Sequence, residues 1–314
     1  MRLAGELALV RGSMGNNEFD LVILSDCVLD IYYRVGELPI KVGDVAVSDI
    51  IALSPGGACT TALVTRKLGL NVAVIDKVGD DPFSDILIKY LNDNGIHTGF
   101  IKRVHGFVTI SNNIITNNGH AFMGYLGVGR ELTVDDIDEN IIKNSRAIYI
   151  NGFYASFTVG IVNTFIETIR TAHKHSVQVF LDVGPAINNR DLIISLIGLS
   201  NTVFMNEDEM KRLFGDLENL TNFTGSTGII AIVKLGSRGA ALVRNGKIKW
   251  CKPYDTGNIV TTIGAGDTFN AAYITGIIRD LDPVESCNLG NRIAFLRTQH
   301  LTPMELPEIR EIIK

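Results

Sequence analysis

Residues 177–210 read VQVFLDVGPAINNRDLIISLIGLSNTVFMNEDEM, and this stretch decides the fold. Val177 to Asp182 and Thr202 to Met205 are short apolar runs bounded by turn residues, so each predicts a buried strand. Between them the chain is helical to Ile197, and two strands joined by a helix-length crossover lie parallel. The alternation continues outward in both directions. Upstream, Ala147 to Asn151 reads as a strand followed by a helix to His175. Downstream, a helix runs to Phe214 and Ile229 to Leu235 forms the next strand. Nearer the N-terminus, Phe19 to Ser25 is a continuous apolar run of the kind buried on both faces. Val72 to Asp76 leads into Gly79-Asp80-Asp81-Pro82, where Asp81 caps and Pro82 opens a helix to about Asn94. The pattern predicts an α/β fold with an open, mainly parallel sheet and helices on both faces.

Two regions depart from the alternation. Ile31 to Val35 and Val45 to Ala52 are β-like runs separated by Pro39, Gly43 and Asp44, after which Pro55-Gly56-Gly57 precedes a helix through Leu68, closed by Gly69. Gly106 to Tyr125 reads as strands around Asn117-Asn118-Gly119, a hairpin signal that predicts a small β element grafted onto the main sheet. A second hairpin is predicted at Asn245-Gly246, between Ala240 to Arg244 and Lys247 to Cys251. Ligands of doubly wound sheets gather outside the carboxyl ends of the strands. Asp26, Asp30, Asn206, Glu209 and Gly236 all follow strand ends.

The chemistry is concentrated in Thr261-Thr262-Ile263-Gly264-Ala265-Gly266-Asp267-Thr268-Phe269-Asn270. Gly264 and Gly266 lack a Cβ, so their N–H groups can approach an anion closely. Phe269, Ala272, Tyr273, Gly276 and Ile277 then recur with helical spacing, which sets a helix start at this turn. The free N–H groups and positive end of such a helix suit a phosphate. Asp267 stands where it can accept a proton from a hydroxyl attacking that phosphate. Taken alone, the tetrad is equally compatible with a capped loop-to-helix junction.

Composition narrows the function classes. The 314 residues are 46% hydrophobic and 20% charged, with a net charge of −5, which describes an ordinary globular chain with no basic footprint for nucleic acid. No apolar run approaches the ~20 residues of a membrane span. Cys27, Cys59, Cys251 and Cys287 form no CxxC pair, so their spacing signals neither a zinc site nor a disulfide framework, and a reducing cytoplasm is expected. Met1 to Asn17 reads as a tag-derived or disordered tail, leaving residues 18–314 as one domain.

Pro55-Gly56-Gly57, Leu68-Gly69, Val78-Gly79-Asp80-Asp81-Pro82-Phe83, Asn206-x-x-Glu209, Lys234-Leu235-Gly236-Ser237-Arg238-Gly239-Ala240 and Gly264-Ala265-Gly266-Asp267 stand in the order seen in the ribokinase-like (PfkB) carbohydrate kinases. The chain resembles that family over about Phe19 to Pro303. The resemblance implies a three-layer α/β/α sandwich with a mainly parallel central sheet and a small β-sheet lid near 31–52 and 106–125. It also implies ATP-dependent phosphorylation of a sugar or nucleoside hydroxyl, with Mg2+. By the same resemblance, Asp267 is the general base and the N–H groups of Gly264, Ala265 and Gly266 form the anion hole. Asn206 and Glu209 would organise magnesium through water, a role that can coexist with capping the next helix. Lys234, Gly236, Arg238 and Gly239 would face the nucleotide, with a solvated turn as the other reading of Arg238. Asp30, Gly56, Gly57 and Thr61 would receive the acceptor; Asp26 either helps them or, as its leading reading, is a solvated loop acid. Lid strands of this family often pair across a homodimer.

The chain also departs from the family pattern. Thr261 stands where an Asp commonly helps hold an activating potassium ion, and Thr61 where an Asn is usual on the acceptor side. Val28 and Phe153 make that side more apolar; Phe153 either stacks on a nucleobase or is a core residue at a strand end. Of the family's Asp-x-Asn, Asp182 alone remains. The leading expectation is a sugar kinase, with a nucleoside kinase or a catalytically silent sugar- or nucleotide-binding regulator as alternatives. A dinucleotide oxidoreductase lacks its G-x-G-x-x-G after the first strand, where Ser25-Asp26-Cys27 stands.

Overall fold

The computed structural model describes residues 18–117, 119–254 and 257–307. The tail expected over Met1 to Asn17 and the hairpin residue Asn118 lie outside the described residues. The larger sheet comprises β1 (Phe19–Leu24), β4 (Val72–Gly79), β5 (His97–Val104), β8 (Ser145–Asn151), β9 (Gln178–Asp182), β10 (Thr202–Asn206), β11 (Ile230–Lys234), β12 (Ala240–Arg244) and β13 (Lys247–Cys251). Their spatial order is β13-β12-β11-β10-β9-β8-β1-β4-β5, and only the β11-β12 and β12-β13 pairs are antiparallel. The smaller sheet holds β2 (Cys27–Arg34), β3 (Ile51–Gly57), β6 (Thr109–Thr116) and β7 (Gly119–Tyr125), in the order β3-β2-β6-β7.

β1 lies between two parallel neighbours, with Leu21 opposite both Val72 and Ala147, which is why its sequence is apolar throughout. Leu21 and Ile23 point to one face and Val22 and Leu24 to the other, all fully buried. Each such side chain contributes about 1.5–3 kcal/mol of apolar burial. One face is covered by α1 (Ala58–Lys67), α2 (Pro82–Asp93), α8 (Ala265–Ile278) and α9 (Pro283–Thr298). The other carries α3 (Glu139–Lys143), α4 (Val159–Lys174), α5 (Arg190–Leu199), α6 (Glu207–Phe214) and α7 (Leu217–Thr227). The chain winds from β1 toward β5 on one side and from β8 toward β11 on the other. The reversal between β1 and β8 is the switch point at which doubly wound sheets open a crevice.

Several expectations need correction. The first strand of the small sheet begins at Cys27 rather than Ile31, so Asp30 lies within β2 and not in a loop. Regular pairing on the other side starts only at Ile51 and runs through Pro55-Gly56-Gly57. A strand tolerates Pro55 because β3 is an edge of its sheet. The strand β5 and the helices α7 and α9 carry no strong periodic apolar signal. β5 is a largely exposed edge strand, HTGFIKRV, and α7 is rich in Thr and Asn. The cysteines also pair despite their distance in sequence. Cys27 is bonded to Cys59 and Cys251 to Cys287, with Cα atoms 5.3 and 6.1 Å apart. The first bond ties the start of β2 to the first turn of α1, and the second ties β13 to α9. Among the described residues no helix is long and apolar enough to cross a membrane.

Two glycines give opposite stability predictions. A Cβ on Gly276 in α8 would lie 2.9 Å from Cβ and 3.1 Å from Cα of Ser286 in α9. Gly276→Ala therefore forces these helices apart and should cost about 1–3 kcal/mol. A Cβ on Gly198 near the end of α5 would meet nothing within 4 Å, and Gly198→Ala should stabilise by roughly 0.5–1 kcal/mol. Urea unfolding of the two variants beside the parent protein reads both, and equal shifts of one sign would refute the packing account.

Candidate active site

The turn singled out in the sequence sits at the crevice. Gly264 caps α8 in the left-handed region, with φ 75°, a conformation that costs a side-chain-bearing residue about 1–2 kcal/mol. The Ala265 N–H turns back to the Thr262 carbonyl at 3.2 Å, so of the three expected anion-binding N–H groups this one already has a partner. The following first-turn N–H groups have no carbonyl four residues back within the helix. Asp267 is the third residue of α8. Burial pushes its carboxyl up to about 7; Asp182 and Asp30 add to the rise, while Lys234 and Arg297 offset part of it. An acid poised there exchanges a proton readily near neutral pH.

Beneath Asp267 lies a polar network from four elements. Lys234 at the end of β11 places Nζ 2.8 Å from Oδ2 of Asp182 at the end of β9. Asn270, one turn after Asp267 on α8, donates to the same Asp182 oxygen at 2.7 Å and to the Tyr149 hydroxyl at 3.2 Å. The Lys234 ammonium donates in turn to Asn270 Oδ1 at 3.3 Å. Sequence reasoning singled out Lys234 and Asp182 but not Asn270 or Tyr149. The spacing of Asn270 from Asp267, three residues on one helix face, was the available signal.

Asn206 and Glu209 form a reciprocal cap at the start of α6. The Glu209 N–H donates to Asn206 Oδ1 at 2.9 Å, and both Glu209 oxygens accept from Asn206, each at 2.7 Å. Burial, with Asp182 nearby, pushes the Glu209 carboxyl up to about 7. Among the described residues no group of three His, Cys, Asp or Glu side chains could hold a metal ion.

On the opposite wall, Asp30 projects from β2 and accepts a hydrogen bond from Tyr32 at 3.2 Å. Burial raises its carboxyl to about 6, against hydrogen bonds from Asn113 and Tyr32. A Cβ on Gly56 would sit 2.3 Å from the Asp30 carboxyl carbon, and one on Gly57 2.5 Å from the Asp26 carbonyl oxygen. The diglycine therefore makes room for the two acids. Asp26 is not a solvated loop acid: it is 3% exposed, its Oδ1 has no hydrogen-bond partner among the described residues, and its carboxyl is raised well above the usual range by burial and by Asp76, Asp267 and Asp30.

The remaining expected residues divide. Thr61 is fully buried and donates to the Asp267 carbonyl at 3.3 Å, so it supports the acid from behind. Gly236 (φ 61°) and Gly239 (φ 83°) shape the turn after Lys234. Gly236 faces open space, whereas a Cβ on Gly239 would strike the Cys251 carbonyl oxygen. Arg238 is exposed and paired with Glu207. Phe153 is half-buried and packs against Phe157 and Tyr154 at ring distances of 5.1 and 5.8 Å, on the edge of the core. Val28 is buried in β2.

Comparison with known proteins bears on the fold and the family. Residues 19–309 match the family described as pfkB family carbohydrate kinase. A 5-dehydro-2-deoxygluconokinase of Clostridium botulinum is 27% identical over 286 residues, 82% of each chain. Adenosine kinase of Sinorhizobium meliloti superposes with a TM-score of 0.82 at 21% identity, over 94% of this chain and 98% of that one. Arabidopsis thaliana ribokinase, complexed with ribose and ATP, gives 0.77 at 22% identity, over 94% and 97%. The ribokinase-like α/β fold with its large, mostly parallel sheet and smaller second sheet is thereby established.

The raised Asp267 carboxyl has a consequence for stability. Folding lifts its pKa from 3.8 to about 7, so between these values the folded state holds a proton that the unfolded state lacks. Stability from this group is therefore greatest at acid pH and is lost as pH rises through 7. Asp267→Asn removes that loss. Its Tm should exceed that of the parent protein at pH 8, with the gain shrinking toward pH 4; scanning calorimetry at several pH values reads it. A difference independent of pH would refute the burial account.

Proposed function

The chain belongs to the pfkB family of carbohydrate kinases, and we propose that it transfers the γ-phosphoryl group of ATP to a hydroxyl of a sugar, with Asp267 as general base. The observation that carries this reading is the position of Asp267, at the first turn of α8 with its carboxyl pushed up to about 7, between the Lys234–Asp182 pair and Asp30. The acceptor hydroxyl gives its proton to Asp267 as its oxygen bonds to phosphorus. The bond from phosphorus to the β–γ bridging oxygen breaks, and ADP leaves with that electron pair. Positive potential at the head of α8 faces the charge on the transferring group. Asp30 accepts from acceptor hydroxyls, a task that suits a carboxylate because it can take two donors at once.

Magnesium, held by the nucleotide phosphates with its waters ordered by Asn206 and Glu209, would neutralise phosphate charge in this reading. Lys234 and the open Gly236 turn line the nucleotide side. The small sheet serves as a lid whose closure keeps water from competing with the acceptor. The exposed Phe122, Met123 and Tyr125 of β7, with Phe107 just before β6, support pairing of two copies through that sheet.

The test is acceptor-dependent ADP release from magnesium ATP over a panel of sugars, sugar acids and nucleosides, headed by 5-dehydro-2-deoxygluconate because of the relative's name. Turnover of sugars or sugar acids is the expected result. Turnover confined to nucleosides would replace the sugar reading, and none at all would leave a silent binder. Asp267→Asn should lower kcat by about 10² to 10⁴ with little change in nucleotide affinity. Because the base must be ionised, kcat/KM should fall as pH drops below about 7. Gly56→Ala, whose Cβ would displace the Asp30 carboxylate, should raise the acceptor KM without raising that for ATP.

A further inference from the structure

We propose that Arg297 is a positioning residue of this site, a fixed buried cation behind the Gly264 turn that balances the charge on Asp267 and, through Tyr32, on Asp30. The inference rests on the kinase reading above.

Arg297 lies in the last turn of α9 and is fully buried, the largest side chain in that state. Nη1 donates to the His300 carbonyl at 2.8 Å and Nη2 to the Leu301 carbonyl at 3.2 Å, while Nε has no hydrogen-bond partner among the described residues. None of the close ion pairs among those residues includes it. A buried guanidinium with no carboxylate paired to it carries a large desolvation cost. The two carbonyls use Nη1 and Nη2, which leaves Nε, the atom nearest Gly264, without a partner and the charge without a paired acid.

The surroundings account for the charge. Nε and Nη2 lie 3.5 and 3.7 Å from where a Cβ on Gly264 would stand, so the guanidinium packs directly beneath the residue that caps α8. Its nearest titratable neighbour is Tyr32 of β2. The Tyr32 hydroxyl donates to Asp30 at 3.2 Å. The cation thus packs against the Gly264 turn and stands beside the tyrosine that donates to Asp30. Around Asp267, the charged or titratable groups are Asp182, Lys234, Asp30, Asp26 and Tyr149 besides Arg297. Arg297 itself faces Tyr32, Asp30, Asp267 and Glu305. It and Lys234 are the cations that hold Asp267 down against burial and its acidic neighbours.

Removing this charge should make both acids harder to ionise and weaken the positive potential under the turn. The experiment compares the parent protein with Arg297→Met, which keeps volume but not charge, and Arg297→Lys, which keeps charge. ADP release is followed from pH 5.5 to 9 with the panel acceptor that the parent turns over fastest. Expected for Arg297→Met is a kcat lower by about tenfold to hundredfold, an acid limb of kcat/KM moved up by about one pH unit, and an unchanged KM for ATP. Arg297→Lys should leave the acid limb in place. A folded Met variant with parental kcat and pH profile overturns the proposal. If the Met variant does not fold by near-ultraviolet circular dichroism, the Lys variant decides: an unmoved acid limb supports the role and a moved one overturns it. Failure of both to fold would make Arg297 a structural residue and end the proposal. A parent protein inactive on the whole panel would instead refute the kinase reading.

Discussion

The ion pair between Lys234 and Asp182 is the interaction on which the site depends. It joins the carboxyl ends of β11 and β9, and Asn270 brings α8 to the same Asp182 oxygen. Both side chains are mostly buried, at 16% and 9% exposure. A buried pair of this kind gains little net stability over an apolar replacement, but losing either partner strands a charge away from water. Its contribution is therefore to alignment. With three elements sharing one carboxylate, the first turn of α8 has a single register against the strand ends, and Asp267 inherits that register.

Charge balance is the second constraint. Asp26, Asp30, Asp76, Glu209 and Asp267 all have carboxyls raised by burial. Against them stand the buried cations Lys234 and Arg297. Ionising every acid at once would be costly in so dry a crevice, since each new charge raises the cost of the next. The arrangement instead holds several acids near the point of titration. A proton acceptor for an alcohol benefits from that poise, because a group with an ordinary carboxylate pKa would be a weaker base.

The main sheet could be read from the chain because its central strands are buried on both faces and so are apolar throughout, as in FDLVIL and the VFLD and VFM runs. The edge strand HTGFIKRV has one neighbour and much solvent, so no periodicity marked it. The head of α8 was visible because two glycines and an acid at a helix start are local features. Asp26 was misjudged for the opposite reason. Its burial is made by Asp76, by Gly57 of β3 and by Tyr154, all distant in sequence. The cysteine pairs were hidden in the same way, by separations of 32 and 36 residues. Arg297 gave no signal at all, since an arginine near the end of a helix ordinarily serves its dipole in solvent.

What places the acceptor-side acid is the junction between the two sheets. Ser25 and Asp26 both take left-handed backbone, with φ of 70° and 65°, and turn the chain out of β1 into β2. Asp76 of β4 then accepts from the Cys27 N–H at 2.6 Å and the Lys77 N–H at 2.8 Å. The first residue of β2 is thereby held by the main sheet, and the bond to Cys59 holds it to α1 as well. Asp30 follows three residues later on a strand paired on both sides, so its distance from the main sheet is set by short, rigid backbone. Among the described residues the far edge, β7, has no such tie to the main sheet and pairs only with β6. Asp30 stands at that fixed root, near enough to Asp267 to help raise its carboxyl.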